Sequence, residues 1–435
     1  MCRIPQNYKE DKKMKKFKYK KELISLIAIL SLSGSLIACS AVVKSDGTSK
    51  NATNSTVSTE NKVSTGETTV DASDLVSDRD LDPTYAEEDT IKIELQNNTA
   101  ACSSSSVSVK DSIITISSEG TYIVSGTLTD GQIVIDAGKE DKIRLILNGC
   151  SITSSDSAAI YVVSADKVFV TLAEGSTNAL SNGGTFTSQN DDNIDGVIFS
   201  KDDITFNGEG NLTIDSPAAN GIVCKDDLVI TGGTYQIDCA KNAIEANDSI
   251  AITDGDITIT GCNDGLHAEN DDDDTSGYIV IQGGILNINA EDDGIHGTSL
   301  VTIDDGNITI NAGEGIEGTY ITINGGTINI SASDDGINAA HKSDSYTPTV
   351  EINGGEITIV MGQGDTDGID SNGNLIITGG TIDVTGQSPF DYDGTCEYSG
   401  GTLIVNGSQT NTVSNQFAGG PGGGTGGPGR EMRPF

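Results

Sequence analysis

The sequence has no tryptophan, and aromatic residues make up only 4% of its 435 positions. The apolar residues are instead mostly Ile, Val and Leu in short alternating runs, and glycine is frequent, with 53 residues. This composition disfavours a helical protein and indicates a β-structure with many turns.

Basic residues are scarce after the first 38 positions, which hold nine of the 25 lysines and arginines but only three of the 64 acids. The rest of the chain carries 16 basic and 61 acidic residues, a net charge of −45. Such a surface repels nucleic acid and anionic lipid, so no nucleic-acid partner is expected. It attracts cations, and hard divalent ions prefer carboxylate oxygens.

The N-terminus has the order of a secretory signal. A basic run from Lys12 to Lys21 precedes an apolar stretch, 23–37, that is too short to span a bilayer comfortably. The stretch ends in Leu36-Ile37-Ala38-Cys39, which resembles a bacterial lipobox and implies a lipid on the Cys39 thiol. We predict a lipoprotein signal peptide over 1–38 and a protein anchored to the extracellular face of the bacterial cell membrane. Ordinary signal cleavage, with Cys39 incidental, is the alternative.

The remainder divides into a central domain with two appendages. Residues 39–89 are rich in Ser, Thr, Asn and Asp, which predicts a flexible tether. Residues 416–435 form a Gly/Pro-rich low-complexity tail. Between them, 90–415, short runs alternate apolar and polar residues, which is typical of strands with one buried face. We expect this single domain to be a monomer.

One short phrase recurs in this domain: an acid or Asn, then Gly or Ala, then an aliphatic residue. Its Gly or Ala stands at 196, 221, 243, 265, 294, 315, 336 and 368, and a second phrase resembling Asn-Gly-Gly-Thr-Ile-Asn-Ile lies between copies. A period of about 21–23 residues with occasional insertions indicates a solenoid. The predicted fold is all-β, a right-handed parallel β-helix with about 21–23 residues per coil. A roll of nonapeptide calcium repeats would need a glycine spacing that the chain lacks.

The period predicts that acids of neighbouring repeats stack about 4.8 Å apart. Stacked carboxylates repel each other unless a cation neutralises them, and Ca²⁺ takes about six to eight oxygens of this kind. The predicted calcium ligands are these acids and their neighbours: Asp264, Asp292, Asp293, Glu314, Glu317, Asp334, Asp335, Asp367 and Asp370. The alternative is that Asp-Gly and Asn-Gly are only good turn formers, with glycine supplying a positive φ.

Other groups keep more than one interpretation. His267 and His296 occupy matching positions in neighbouring repeats, where they could bind a transition metal, contact a sugar or simply lie at the surface. The six cysteines after Cys39 could be paired or free, and Cys239 and Cys262 stand about one repeat apart.

No catalytic residue is predicted. The segment 365–370 is similar to the first acidic motif of polygalacturonases, but their Gly-His-Gly and Arg-x-Lys motifs are missing from the chain. A pectate lyase would need an Arg or Lys base, and Lys342 is the one such residue between Gly265 and Gly386. A phrase that recurs in repeat after repeat does not supply the one distinct constellation that catalysis needs. A pectic lyase or hydrolase remains the alternative function.

The chain resembles a family of secreted or surface-anchored carbohydrate-binding β-helix proteins that are related in fold to pectate lyases. The lipobox, the tether, the Asp-Gly-Ile and Gly-Gly-Thr-Ile repeats and the Gly/Pro tail carry the resemblance. It implies bound calcium and affinity for cellulose and acidic polymers such as polygalacturonate, without catalysis. The expected function is therefore non-catalytic polysaccharide binding, with Tyr235, Tyr278 and Tyr320 as candidate stacking groups. A structural adhesin stalk is a further alternative.

Overall fold

The computed structural model describes residues 75–190, 192–363 and 366–415, which all belong to one compact unit, Thr65–Phe435. The predicted signal peptide, Cys39 and the Gly/Pro-rich tail lie outside the described residues, as do Asp365 and most of the predicted tether. Among the described residues, no helix has both the length and the apolar character needed to cross a membrane.

The prediction of an all-β protein is confirmed. Helical structure in the described ranges is limited to one turn, α1 (Asp78–Leu81), and a 3-10 helix, Glu87–Asp89. The strands of the first half are β1 (Ile91–Asn97), β2 (Ala100–Ala101), β3 (Val107–Lys110), β4 (Ile113–Ile116), β5 (Gly120–Leu128), β6 (Gln132–Asp136), β7 (Lys142–Ser154), β8 (Ile160–Ser164), β9 (Lys167–Leu172), β10 (Thr177–Asn182), β11 (Gly196–Ser200), β12 (Asp203–Gly208), β13 (Asn211–Ser216), β14 (Asn220–Cys224), β15 (Asp227–Cys239), β16 (Ile244–Ala246) and β17 (Ser249–Gly261). Those of the second half are β18 (Leu266–Ala268), β19 (Tyr278–Ile281), β20 (Ile285–Asn289), β21 (Asp293–Ile303), β22 (Asn307–Ala312), β23 (Glu314–Ile323), β24 (Thr327–Ala332), β25 (Ile337–Ala339), β26 (Thr349–Ile352), β27 (Glu356–Met361), β28 (Asp367–Ser371), β29 (Asn374–Ile377), β30 (Thr381–Thr385), β31 (Ser388–Phe390), β32 (Cys396–Tyr398), β33 (Thr402–Val405) and β34 (Ser408–Thr410).

The core is built from columns of identical or similar aliphatic residues. In β24, Ile328 and Ile330 are buried whereas Thr327 and Asn329 are exposed, as the alternating sequence predicts. Ile328 pairs with Ile308 of β22 on one side and with Ile357 of β27 on the other, in register and in parallel. Because the sequence repeats in register, the same contacts recur from one repeat to the next, and each Ile packs against its counterpart in the next repeat.

The predicted architecture, a right-handed parallel β-helix of regular coils, is wrong. Six parallel strands instead close into a ring: β7 pairs with β9, β9 with β12, β12 with β15, β15 with β13, β13 with β10, and β10 with β7. The other described strands lie outside this ring and belong to the same 34-stranded sheet. The molecule is better described as barrel-like than as a clear solenoid. Antiparallel pairs β1–β2, β3–β4 and β33–β34 flank its two ends and cover strand edges there.

The ring closes because long strands continue through bends instead of ending there. β7, β15 and β17 are each 13 residues long. In β15 the register shifts at Thr231 and Thr234, and Gly233 between them has a φ of 96°, so the strand bends without ending. A bent strand has different neighbours at its two ends, which is how β7 and β15 join two faces of the sheet.

The glycine of the Asp-Gly-Ile phrase serves close approach between repeats rather than a turn with positive φ. A Cβ on Gly336 would lie 2.6 Å from Ile359 Cγ2 and would also run into the carbonyl oxygen of Gly368. The positive φ belongs to the other phrase, as in Gly326, where φ is 87°. The turn-former interpretation of the Asp-Gly-Ile phrase is therefore wrong for Gly336.

Candidate functional site

The parallel pairing brings the residues two positions after the phrase glycine into one column. Each residue of the column pairs with the next in register: Glu245, His267, His296, Glu317, Asn338 and Asp370. Acids that precede the glycine accompany this column, and Asp293 of β21 pairs with Glu314 of β23. We call these two rows, from Asp264 to Asp370, the acidic edge. Strands in parallel register place equivalent side chains side by side, so the repeat itself concentrates the charge.

The first half of the acidic edge contains its own cations. His267 Nδ1 lies 2.8 Å from Asp264 Oδ2, and its Nε2 lies 3.2 Å from Glu269 Oε2. His296 stacks on His267 with ring centroids 4.6 Å apart and an interplanar angle of 11°. His296 Nδ1 lies 2.8 Å from Asp293 Oδ2.

Glu317 joins this group from the next repeat. Its Oε2 lies 2.8 Å from His296 Nδ1, and its Oε1 lies 2.9 Å from Lys342 Nζ. Asp293, His296 and Glu317 are all buried, so these are interior ion pairs. The surface interpretation of His296 is therefore wrong, and both histidines act as counter-ions to carboxylates.

Burial and hydrogen bonding oppose each other at these histidines. Burial alone would lower their pKa values, but the bonds to carboxylates raise the pKa of His267 to about 10 and that of His296 to about 9. Burial raises the pKa of Asp293 despite its bond to His296. Burial would also raise the pKa of Glu317, but His296 and Lys342 together lower it. His296 and Lys342 thus both favour the ionised form of Glu317.

The second half of the acidic edge differs from the first half in its ion pairs. Salt bridges between described residues do not involve Glu314, Asp335 or Asp370. Burial and then neighbouring carboxylates raise the pKa of Glu314 to about 8, that of Asp335 to about 6 and that of Asp370 to about 7. The pKa values of these three carboxyls are thus raised first by burial and then by the negative charge of their neighbours.

Asn338 adds an oxygen to this half. Its Nδ2 donates to Glu314 Oε2 at 2.9 Å, while its buried Oδ1 accepts no hydrogen bond within the described part of the chain. A buried carbonyl oxygen without a donor is costly, which suits a site where a cation supplies the missing partner. Glu314, Asp335, Asn338 and Asp370 together offer carboxylate and amide oxygens, the donors that calcium prefers.

The predicted calcium ligands therefore separate into three groups. Asp264, Asp293 and Glu317 lie in the ion-paired first half, Glu314, Asp335, Asp367 and Asp370 lie in the second half, and Asp292 and Asp334 are exposed beside them. Ligation by any of them stays a prediction.

Several features of the site were missed at the sequence level. The spacing Asp-x-x-His, present twice, was a usable signal for the ion pairs of His267 and His296. Lys342 gave no such signal, because it lies in an insertion 25 positions after its partner Glu317. A second acid group, Asp203, Asp226 and Asp227, was also not singled out, although one oxygen of each lies within 4.8 Å of the others.

The structure also shows the burial of the candidate sugar-stacking tyrosines and the state of the cysteines. Tyr235 is only 1% exposed and donates its hydroxyl to the Gly232 carbonyl at 2.7 Å, so it cannot stack on a sugar. Tyr278 and Tyr320 are half-buried. The six cysteines from Cys102 to Cys396 are free thiols, so Cys239 and Cys262 do not form a disulfide.

Comparison with known proteins gives three findings. A family model described as carbohydrate-binding domain-containing protein matches residues 110–366 and 314–416. A protein of the same description from Acetivibrio thermocellus is 42% identical over 133 residues, which is 30% of this chain and 46% of that protein. The chain thus spans about half the length of this relative.

A solved structure, described as a polysaccharide lyase-like protein from C. thermocellum in a gadolinium derivative, is also similar. It is 35% identical with a TM-score of 0.51, over 55% of this chain and 96% of that one. The residues matched by the family model include the whole acidic edge.

Proposed function

Because the chain belongs to the family of carbohydrate-binding domain-containing proteins, we propose that it binds polysaccharide at the cell surface without cleaving it. In this proposal calcium bound by the second half of the acidic edge takes part in the binding. The observation that carries it is the row of Glu314, Asp335 and Asp370, whose pKa values are raised, together with the unpartnered Oδ1 of Asn338, which pairs in register with Asp370.

Bound calcium relieves the repulsion among the carboxylates of the site. The three carboxylates are partly buried and close to other acids, so without a cation they hold protons well above their ordinary pKa values. A divalent ion replaces those protons and neutralises the negative charge of the three carboxylates. When bound, it supplies a positive centre that an acidic sugar can also reach.

The polymer that best suits such a site is an acidic one of the polygalacturonate type. An acidic protein repels an acidic polymer unless a cation lies between their carboxylates. Cellulose, a neutral polymer, is the other expected ligand, but the buried position of Tyr235 removes one of its three candidate stacking groups.

The basic groups of the acidic edge, His267, His296 and Lys342, are held by carboxylates and are not available as a catalytic base. Lyase chemistry needs a base that can take a proton, but His267, His296 and Lys342 each lie within 3.2 Å of a carboxylate and are charged through these contacts. A polysaccharide lyase or hydrolase is the second candidate. It is favoured by the description of the solved neighbour as lyase-like and by the raised pKa of Glu314, which is typical of a general acid.

One experiment separates these functions. The protein is incubated with polygalacturonate or cellulose, with calcium or with chelator, and both retention and new chain ends are measured. We expect retention on polygalacturonate that chelator reduces, without new reducing or unsaturated ends. Glu314→Gln should weaken the retention, whereas the exposed Glu356→Gln, with the same change of charge, should not. New chain ends would establish the enzyme instead, and equal retention with chelator would remove calcium from the function.

The surface location is part of the same proposal and depends on the lipobox. The mature protein should begin at Cys39 and carry lipid there, with the 39–89 segment between the anchor and the domain. Intact-mass measurement tests this directly, and Cys39→Ser should release the protein from the cell. A mature protein that begins elsewhere and carries no lipid would contradict the anchor.

A further inference from the structure

The outer face of strands β7, β9 and β12 gathers positive charge around an aromatic ring, in contrast to the acidic edge. Arg144 pairs in register with Phe169, and Phe169 pairs with Thr205. The Arg144 guanidinium lies 5.6 Å from the centroid of the Phe169 ring, and Lys167 Nζ lies 5.8 Å from it. Asn207, two positions after Thr205, accepts a hydrogen bond from Thr171. We call this surface the basic face.

The chain covers the basic face with its own α1 segment. The Asp80 side chain is fully buried there, 2.8 Å from Lys167 Nζ, and its Oδ1 accepts a hydrogen bond from Thr205. The Asp80 carbonyl oxygen accepts from Asn207 Nδ2 at 3.0 Å and from Thr231 Oγ1 at 2.7 Å. The Arg79 guanidinium lies 4.9 Å over the Phe169 ring.

The two oxygens of the Asp80 carboxylate have different partners: Oδ1 contacts Lys167 and Thr205 of the basic face, whereas Oδ2 accepts hydrogen bonds from Ser77 N and Oγ within the same turn. Asp80 is the one buried residue of the four-residue α1, and it is an acid held by a cation and hydroxyl and amide donors. A single helical turn has little stability of its own, so its position depends on this pocket. Tyr85, packed against Ile123 and Ile146, holds the chain a few residues further along, so α1 can leave without the rest.

We propose that the basic face is a binding site for a uronic acid unit of a polysaccharide, and that Ser77–Leu81 covers it as a removable plug. The Asp80 carboxylate occupies the place of the sugar carboxylate, where Lys167 and Thr205 donate to it. Asn207 and Thr231, which donate to the Asp80 carbonyl, would serve a sugar hydroxyl or ring oxygen. The face of Phe169 that Arg79 covers would take the C–H face of the sugar. The inference rests on the proposed function for the class of ligand, and it does not depend on calcium.

A tethered plug lowers the apparent affinity of the site for its ligand, because only the fraction of molecules in which the site is open can bind. Asp80→Asn removes the charge that pairs with Lys167 and should open the site. Asp78→Asn is the matched control, because Asp78 is an exposed acid of the same turn. In chelator, we expect the full-length Asp80→Asn protein to bind oligogalacturonate about tenfold more tightly than the unmodified protein and the control. Adding Lys167→Gln to Asp80→Asn should remove the gain.

Equal affinities of the unmodified, Asp78→Asn and Asp80→Asn proteins would overturn the proposal. Calcium-dependent retention on polygalacturonate is read separately, so its failure would refute the calcium role while leaving this site in place. A gain in Asp80→Asn that survives Lys167→Gln would also count against the site.

A second measurement uses the unmodified protein and does not depend on how the variant folds. Saturating oligogalacturonate in chelator should displace the plug and increase amide hydrogen exchange across residues 77–81. A neutral cello-oligosaccharide, which lacks the carboxylate, should leave exchange there unchanged. Unchanged exchange with saturating oligogalacturonate would overturn the proposal.

Discussion

At the scale of single residues, His296 sets the charge balance of a buried carboxylate pair. Its Nδ1 lies 2.8 Å from both Asp293 and Glu317, and all three side chains are buried. Removing one partner of a buried ion pair leaves an uncompensated charge, which typically costs about 3–5 kcal/mol.

We therefore expect His296→Ala to lower the free energy of unfolding by about 3 kcal/mol, measured by denaturant titration at neutral pH. The matched control is His341→Ala, because His341 is exposed and lies 3.5 Å from Asp344 in a solvent-exposed pair. It should change the free energy by less than about 1 kcal/mol. A loss of the same size in both variants would show that the buried pair contributes nothing.

The same residues give the protein an unusual dependence on pH. The pKa values of His267 and His296 are raised in the folded state, so their stabilisation is complete below about pH 6.5 and is lost as pH rises to 9 and 10. The raised pKa values of Glu314, Asp335 and Asp370 act in the same direction, because folding favours their protonated forms. In chelator, the free energy of unfolding should therefore fall as pH rises from about 5 to 10. A rise in stability between pH 5 and 8 in chelator would contradict these assignments.

At the scale of elements, the repeats approach each other through the glycine of the Asp-Gly-Ile phrase. A Cβ at Gly336 would meet Ile359 Cγ2 at 2.6 Å and the backbone of the next repeat, neither of which can move freely. We expect Gly336→Ala to cost about 1–3 kcal/mol, measured by thermal or denaturant unfolding. Gly261→Ala is the control, because a Cβ there meets one carboxylate oxygen at an ordinary 3.6 Å. Equal stability of the two variants would refute the close-approach role.

The strands and the stacking of the repeats were largely predictable from the sequence. The features that were not predictable all depend on bends within strands. The strand content, the alternation within β24 and the stacking of Glu317 on Asn338 follow from local pattern and period. The bends within β7 and β15 were not predictable, because a glycine in a continuing bent strand and one in a turn have the same local sequence. The closed six-strand ring depends on those bends, so the architecture was predicted incorrectly.

At the scale of the whole molecule, contacts between segments that are far apart in the chain could not be predicted from the sequence. Asp80 was assigned to a flexible tether, yet it contacts Lys167 and Thr205, far along the chain. Lys342 reaches Glu317 from an insertion. In both cases the partner is fixed by where the sheet brings distant segments, whereas the acidic edge was visible because its residues recur at the period of the fold.

The net charge of −39 favours the association of cations with the molecule. A ligand that binds only the folded state stabilises it by about 2.7 kcal/mol at a concentration one hundred times its Kd. Calcium in millimolar excess should therefore raise the melting temperature by several degrees, and chelator should reverse the change. The same amount of magnesium should act more weakly, because it demands a stricter octahedral geometry.

The shift should shrink in Asp370→Asn but persist in the exposed control Glu356→Gln, which separates binding at the acidic edge from general screening of negative charge. Identical melting curves with calcium and with chelator would refute the calcium site, and an equal loss of the shift in both variants would reduce it to screening.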